Sequence, residues 1–300
     1  MTTITAVNDR KKTIFQCDPF QFREQFNRYS FEFAHDLSGH RLFQLPRLVE
    51  LSKQLASTGS VYYDAGEIRV GQRWDQSPPG THAVDETIRR IQEAGAWIIL
   101  RRAEQDPEYR AVLEECMAEV QKLLGKDLKK EMLVQDAIVF ITSPNRVTAY
   151  HIDRECNFIL QVHGDKDISV FDKDDREVLT EEELERFWMV DNNAAIYKEH
   201  YQNRAKVYSV GPGRGVHVPV NAPHWVQNRN NVSVTLSVNF QFRENYPAHV
   251  YRANYLLRKV GVNPTPPGRS QIRDRLKCLA MNATYVPARG ARRLLGRVGL

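Results

Sequence analysis

Residues 232–242, VSVTLSVNFQF, alternate without interruption: Val232, Val234, Leu236, Val238, Phe240 and Phe242 fall on one face of an extended strand, and Ser233, Thr235, Ser237, Asn239 and Gln241 on the other. Shorter apolar or alternating runs at 137–143, 147–153, 157–164, 167–172, 205–210 and 215–220 precede it, each bounded by turn residues. Strands at this density predict a double-stranded β-helix, or jelly roll, rather than a doubly wound sheet. A strand with one wholly polar face has two accounts. Its polar side lies in water, or it looks into a barrel while helices cover the apolar side.

Upstream the period is helical. Asp18-Pro19 opens FQFREQFNRY and Pro46 opens RLVELSKQLAS, so residues 18–60 predict helices. Residues 61–82 read as one or two strands ending in Ser-Pro-Pro-Gly, VDETIRRIQEAG as a short amphipathic helix stopped by Gly95, and WIILRR as a buried strand. Pro107–Leu124 predicts a helix with acidic residues early, lysine late and Gly125 as its stop. Thr180 before Glu181, Glu182 and Glu183 caps a further helix between strands, its acidic cluster read as a solvated face. The expected fold is mainly β with flanking helices. It divides into an N-terminal helical and strand region over 1–130, a jelly roll over 131–245 and a basic helical extension over 246–300.

Composition adds exclusions. No apolar run approaches the eighteen residues of a transmembrane helix, and MTTITAVNDRKK has no apolar signal region, so a cytoplasmic chain is expected. Cys17, Cys116, Cys156 and Cys278 lack metal-binding or disulfide spacing, which suits reduced thiols. The formal charge of +5 is unevenly spread: residues 251–300 carry eleven Lys and Arg against Asp274 alone. Such a tail suits nucleic acid or an acidic carrier protein, or is simply a solvated basic end.

Candidate chemistry begins at His151 and Asp153, which an extended strand would turn to one face. With 9 histidines and 37 acidic residues in 300 positions, roughly one His-x-Asp/Glu triplet arises by chance. A second copy, His163-Gly164-Asp165, has the composition of a hairpin turn. A surface pair on a strand is therefore the plain account of His151 and Asp153. A third ligand is offered by His224, which follows a proline-bounded loop, or by His217 within Val216-His217-Val218. Two histidines and a carboxylate on one face of a metal, with other positions open, is the set used by iron(II) oxygenases.

The flanks carry a resemblance. Thr148 three residues before His151, Asn157 six and Lys166 fifteen after it, and Asn239 fifteen after His224 together resemble the JmjC branch of the cupin superfamily. The likeness is closest to the asparaginyl hydroxylase of hypoxia-inducible factor and to bacterial cupin-like proteins. The resemblance implies that His151, Asp153 and His224 hold Fe(II), that Thr148 and Lys166 bind the distal carboxylate of 2-oxoglutarate, and that Asn157 and Asn239 lie near its chelating end. It further implies an O2-dependent dioxygenase that hydroxylates a C–H of a protein side chain or amino-acid-like small molecule, with N-methyl demethylation as a variant. VYRANYLLRKVG resembles the C-terminal helices that relatives use for packing or for a homodimer. Relatives also tend to place a tyrosine from an earlier strand on the distal carboxylate. Ala96–Leu100 has none, so Tyr150 or another tyrosine compensates, or a related keto acid is preferred.

Elementary chemistry bears on the same residues. A dicarboxylate needs a cation at its far end, which Lys166 would supply, although a lysine after Gly-Asp is by default an exposed turn residue. Asparagine is depleted in strands, so Asn157 and Asn239 call for a pocket. A metal cupin that never uses oxygen has no reason to bind a keto diacid, and a catalytically silent cupin-like binding or regulatory protein has no need of an intact triad. These two are the alternatives.

Overall fold

The computed structural model describes residues 13–128, 130–242 and 246–295, so the readings placed on residues 1–12 and on basic side chains beyond residue 283 lie outside the described residues. Twelve strands are described: β1 (Phe15–Gln16), β2 (Phe31–His35), β3 (Val61–Ala65), β4 (Ala96–Leu100), β5 (Met132–Thr142), β6 (Val147–His151), β7 (Cys156–His163), β8 (Lys166–Val170), β9 (Lys206–Val210), β10 (Arg214–Val218), β11 (His224–Asn228) and β12 (Ser233–Phe242). The helices are α1 (Pro19–Gln25), α2 (Leu45–Ala56), α3 (Val84–Arg89), α4 (Pro107–Leu124), α5 (Glu181–Met189), α6 (Tyr246–Lys259) and α7 (Gln271–Leu295). An eight-stranded sheet in the order β1-β2-β10-β7-β12-β5-β4-β3 faces a four-stranded sheet in the order β6-β11-β8-β9. The strand pairs are antiparallel, as a jelly roll requires.

The alternation of β12 is resolved in favour of the barrel interior. Ser233, Thr235, Ser237 and Asn239 are all buried, so their side of the strand looks inward rather than into water. The opposite face, Val234, Leu236, Val238 and Phe240, belongs to the main core together with Phe22 of α1, Leu48, Leu51 and Leu55 of α2, and Tyr109, Leu113 and Val120 of α4. The largest hydrophobic mass therefore lies outside the barrel. Phe158 of β7 is its hub, with ring centroids 5.3 Å from Phe15, 5.7 Å from Phe22 and 5.9 Å from Phe33. Each such ring contributes about 1.5–3 kcal/mol by leaving water. A smaller cluster of Ile168, Val170, Tyr208, Val210, Val216 and Val218 fills part of the space between the sheets.

Local signals explain the helix ends. Asp18 accepts from the Gln21 N–H at the start of α1, Asp106 from Glu108 at the start of α4, and Gly125 closes α4 at φ 68°. Thr180 and Glu183 form a reciprocal capping box on α5. Arg258 of α6 donates to both Glu185 oxygens of α5, at 2.7 and 2.9 Å, so part of the basic C-terminal charge is used internally.

The helical reading of residues 18–60 is corrected in its middle. FQFREQFNRY is helical only as far as Gln25; Asn27 takes φ 54°, and Phe31–His35 form strand β2. The phenylalanine-rich sequence fits both periods, and pairing with β10 decides for the strand. Among the described residues no helix is long and apolar enough to cross a membrane. The four cysteines are free thiols.

Candidate metal centre and cavity

The strands β6 and β11 pair with His224 opposite His151 and Val226 opposite Thr148. Between these pairs the single residue Trp225 of β11 thus matches two of β6, Ala149 and Tyr150, a β-bulge, which swings one residue out of the alternation. This lets Thr148 and His151, three apart, both line the cavity, while Tyr150 packs away from it against Phe171 and Tyr197. Asp153 sits just past the end of β6. Its backbone carbonyl accepts from the Asn221 N–H at 3.0 Å, joining the loop after β6 to the loop before β11. Trp188 of α5 donates to the Asn221 side chain at 3.1 Å and fixes that loop in turn.

His151, Asp153 and His224 offer ligand atoms that all lie within 4.8 Å of one another. Asp153 Oδ2 is 3.9 Å from His151 Nε2 and 3.6 Å from His224 Nε2. Each imidazole uses its other nitrogen on a backbone carbonyl: His151 Nδ1 on Ala149 at 2.7 Å and His224 Nδ1 on Ala222 at 2.9 Å. A carbonyl can only accept, so the proton is on Nδ1 and both Nε2 lone pairs face the gap. Burial, then the nearby His151, pushes His224 down to about 4, keeping it neutral. Asn157 donates from Nδ2 to Asp153 Oδ2 at 2.6 Å and orients the carboxylate. The set fits a divalent metal with open positions.

His217 is not part of this set. Its ring is enclosed by Phe26, Phe31 and Phe158, its Nε2 accepts from the Asn27 N–H at 2.9 Å, and its Nδ1 bonds the Asn157 carbonyl at 3.0 Å. Both nitrogens are spent. His163-Gly164-Asp165 is a tight bend, as its composition indicated, but not a hairpin turn: β7 and β8 belong to different sheets and do not pair, so the chain crosses here from one sheet to the other. Gly164 has φ +74°, and a Cβ there would meet Asn231 Oδ1 and the Val232 carbonyl oxygen, each at 2.1 Å.

A cavity of about 480 Å³ extends from the triad between the sheets. Lys166, the first residue of β8, lies buried at its other end, with Nζ donating to Thr235 Oγ1 at 2.7 Å. Burial alone pushes Lys166 down to about 7, and among the described residues it has no ion-pair partner. Asn239 accepts from Ser237 at 2.7 Å and stands in register between Asn157 and Asp136. All seven residues singled out in the sequence therefore line one cavity. Others there had no local signal. Asp136 is pushed up to about 6 by burial and Glu104; Glu155 is raised by burial and by Asp153. Arg146, two residues before Thr148, forms a buried ion pair with Asp64 of β3 and ties the two sheets together. The expectation that Tyr150 serves the cavity is not met, since the bulge turns it outward; Tyr62 of β3 is a tyrosine that does line it.

No protein-family model matches the sequence, and no curated protein matches it in sequence. Solved structures do match in three dimensions. A crystal structure of the Escherichia coli ribosomal oxygenase YcfD aligns at TM-score 0.50 and 14% identity, over 92% of this chain and 68% of that one. A second X-ray structure of the same E. coli protein gives 0.52 and 14%, over 91% and 69%. The likeness is one of fold: an antiparallel jelly roll flanked by helices, which is the architecture expected from the sequence.

Proposed function

We propose that this protein is an Fe(II)- and 2-oxoglutarate-dependent dioxygenase that hydroxylates an unactivated C–H of a protein side chain or amino-acid-like small molecule. The observation that carries the reading is Lys166: a buried ammonium with no anionic partner among the described residues, at the far end of a cavity whose near end is a His-Asp-His set. A ligand with a carboxylate at one end and a metal-chelating group at the other answers both demands. YcfD, which shares the fold, is described as a ribosomal oxygenase, and that supports a protein substrate here.

In this reading Nε2 of His151, Nε2 of His224 and the Asp153 carboxylate hold the metal, and Asn157 keeps Asp153 from rotating. Lys166 and Thr148 bind the distal carboxylate, while Asn157 and Asn239 border the chelating end. Bound Fe(II) would supply the oxidative chemistry, by which 2-oxoglutarate, O2 and a substrate C–H give succinate, CO2 and a C–OH, one oxygen atom of O2 going to succinate and the other to the hydroxyl group. The protein positions both reactants and keeps water from the reacting end. Asp136 and Glu155 line that end and would face the substrate. A cytoplasmic location suits the four free cysteines. Ile272, Leu276 and Leu279 are exposed on α7 at helical spacing, which favours a homodimer through that helix over a nucleic-acid or acidic-carrier role for the tail.

The test is anaerobic titration of the Fe(II)-loaded protein with 2-oxoglutarate, following the visible charge-transfer band of keto-acid chelation. The band is expected in the wild type and lost in His224→Ala and Asp153→Ala. If the wild type gives no band at any concentration, the cosubstrate assignment fails and a non-oxygenase metal cupin or a binding protein becomes the account.

A further inference from the structure

Behind Lys166 lies a hydrogen-bonded chain that neither the metal set nor the expected cosubstrate contacts use. Thr235 Oγ1 accepts from Lys166 Nζ at 2.7 Å and donates to Gln161 Oε1 at 2.7 Å. Gln161, fully buried on β7 opposite Thr235, has its Nε2 2.7 Å from the His163 carbonyl, 2.8 Å from the Gly164 carbonyl and 3.0 Å from Ser233 Oγ, three acceptors that share its two protons. Its amide has one stable orientation, because a flipped amide would set Oε1 against two carbonyl oxygens. The direction of the whole chain follows. The Thr235 proton is committed to Gln161, so its oxygen presents a lone pair to Lys166 and has no proton left for a ligand.

We propose that Gln161 and Thr235 are positioning residues of the cosubstrate site: they fix the depth of Lys166 Nζ relative to the metal ligands and so set the length of keto diacid that spans the two. The proposal rests on the cosubstrate reading above. Of the three ammonium protons one is held by Thr235, and the remaining two are available to a carboxylate. The anchor of the chain is the bend between β7 and β8, where the backbone crosses from one sheet to the other; its carbonyls at 163 and 164 hold Gln161, which gives His163-Gly164-Asp165 a part in ligand selection. A lysine on four rotatable carbons would otherwise reach carboxylates at several depths.

The experiment compares wild type, Thr235→Val, Thr235→Ser and Gln161→Leu, each Fe(II)-loaded, in equilibrium titration and turnover with oxaloacetate, 2-oxoglutarate and 2-oxoadipate. Thermal melts establish that each variant is folded. Thr235→Val and Gln161→Leu are expected to weaken 2-oxoglutarate binding by about tenfold, to leave kcat at saturation within about twofold, and to narrow the preference for 2-oxoglutarate over 2-oxoadipate. Thr235→Ser keeps the hydroxyl and is expected to behave as the wild type. Folded Thr235→Val with unchanged affinity and unchanged length preference would overturn the proposal, and so would equal weakening in Thr235→Ser. A wild type that binds none of the three keto acids defeats the cosubstrate reading itself, which separates the two failures.

Discussion

An ammonium buried without a counter-ion makes the fold less stable than an apolar side chain of the same shape would, and among the described residues Lys166 has none. Lysine in an unfolded chain titrates at about 10.4, whereas burial lowers Lys166 to about 7. Between these values the unfolded chain holds more protons, so stability rises with pH from 7 towards 10, and below 7 the whole cost is present. Lys166→Met in the ligand-free protein is therefore expected to be more stable than wild type at pH 6, on the order of a few kcal/mol, with the gain shrinking by pH 9. Urea unfolding at the two pH values measures this; equal midpoints at pH 6 would mean the ammonium is not desolvated. The same variant is expected to lose 2-oxoglutarate binding. In the wild type a bound carboxylate holds the proton, so affinity stays level below pH 7 and weakens by up to about tenfold per unit above it.

Among the elements, the β7–β8 crossing between the sheets and the bulge in β6 do most to shape the cavity. Gly164→Ala would force φ +74° on a residue with a Cβ and drive that carbon into the Val232 carbonyl. A loss of about 1–3 kcal/mol is expected, read by denaturant midpoint, with weaker 2-oxoglutarate binding because the turn carbonyls hold Gln161. Wild-type stability would show that the turn relaxes freely. The β12 alternation, the α4 and α5 caps and the tight bend at Gly164 were all legible in the sequence because each is a local signal of a few residues, whereas the bend's joining of two sheets rather than two paired strands was not. The β6 bulge was not. Simple alternation puts Thr148 and His151 on opposite faces, and only the register with β11 puts them on one. Strand β2 was hidden for a related reason, since Phe31, Phe33 and His35 follow a run that also fits a helix. The seven site residues were legible through a resemblance of spacing. Gln161, Asp136 and Glu155 belong to no spacing pattern, Thr235 belongs only to the β12 alternation, and their contacts form only across strands.

At the scale of the whole molecule, core and cavity occupy opposite faces of the larger sheet. The apolar face of β12 and β7 holds the helices, and the polar face holds the site, so stability and chemistry are separable to a degree. Phe158→Ala is expected to cost about 3–5 kcal/mol, since its ring packs against five other phenylalanines, while leaving the affinity of the folded fraction for metal and 2-oxoglutarate within about threefold. Chemical unfolding together with titration below the melting range distinguishes these. A matching collapse of ligand affinity would show that the two faces are coupled through the strand.

The bond from the Asn221 amide to the Asp153 carbonyl has a use of its own. It involves no metal-ligating side chain yet fastens the backbone of Asp153, so anything that steadies Asp153 also steadies that proton. Its exchange with deuterium becomes an internal clock for occupancy: the amide of Asn221 should slow as the centre fills, reporting loading from a position that takes no part in binding and in a protein that need not turn over.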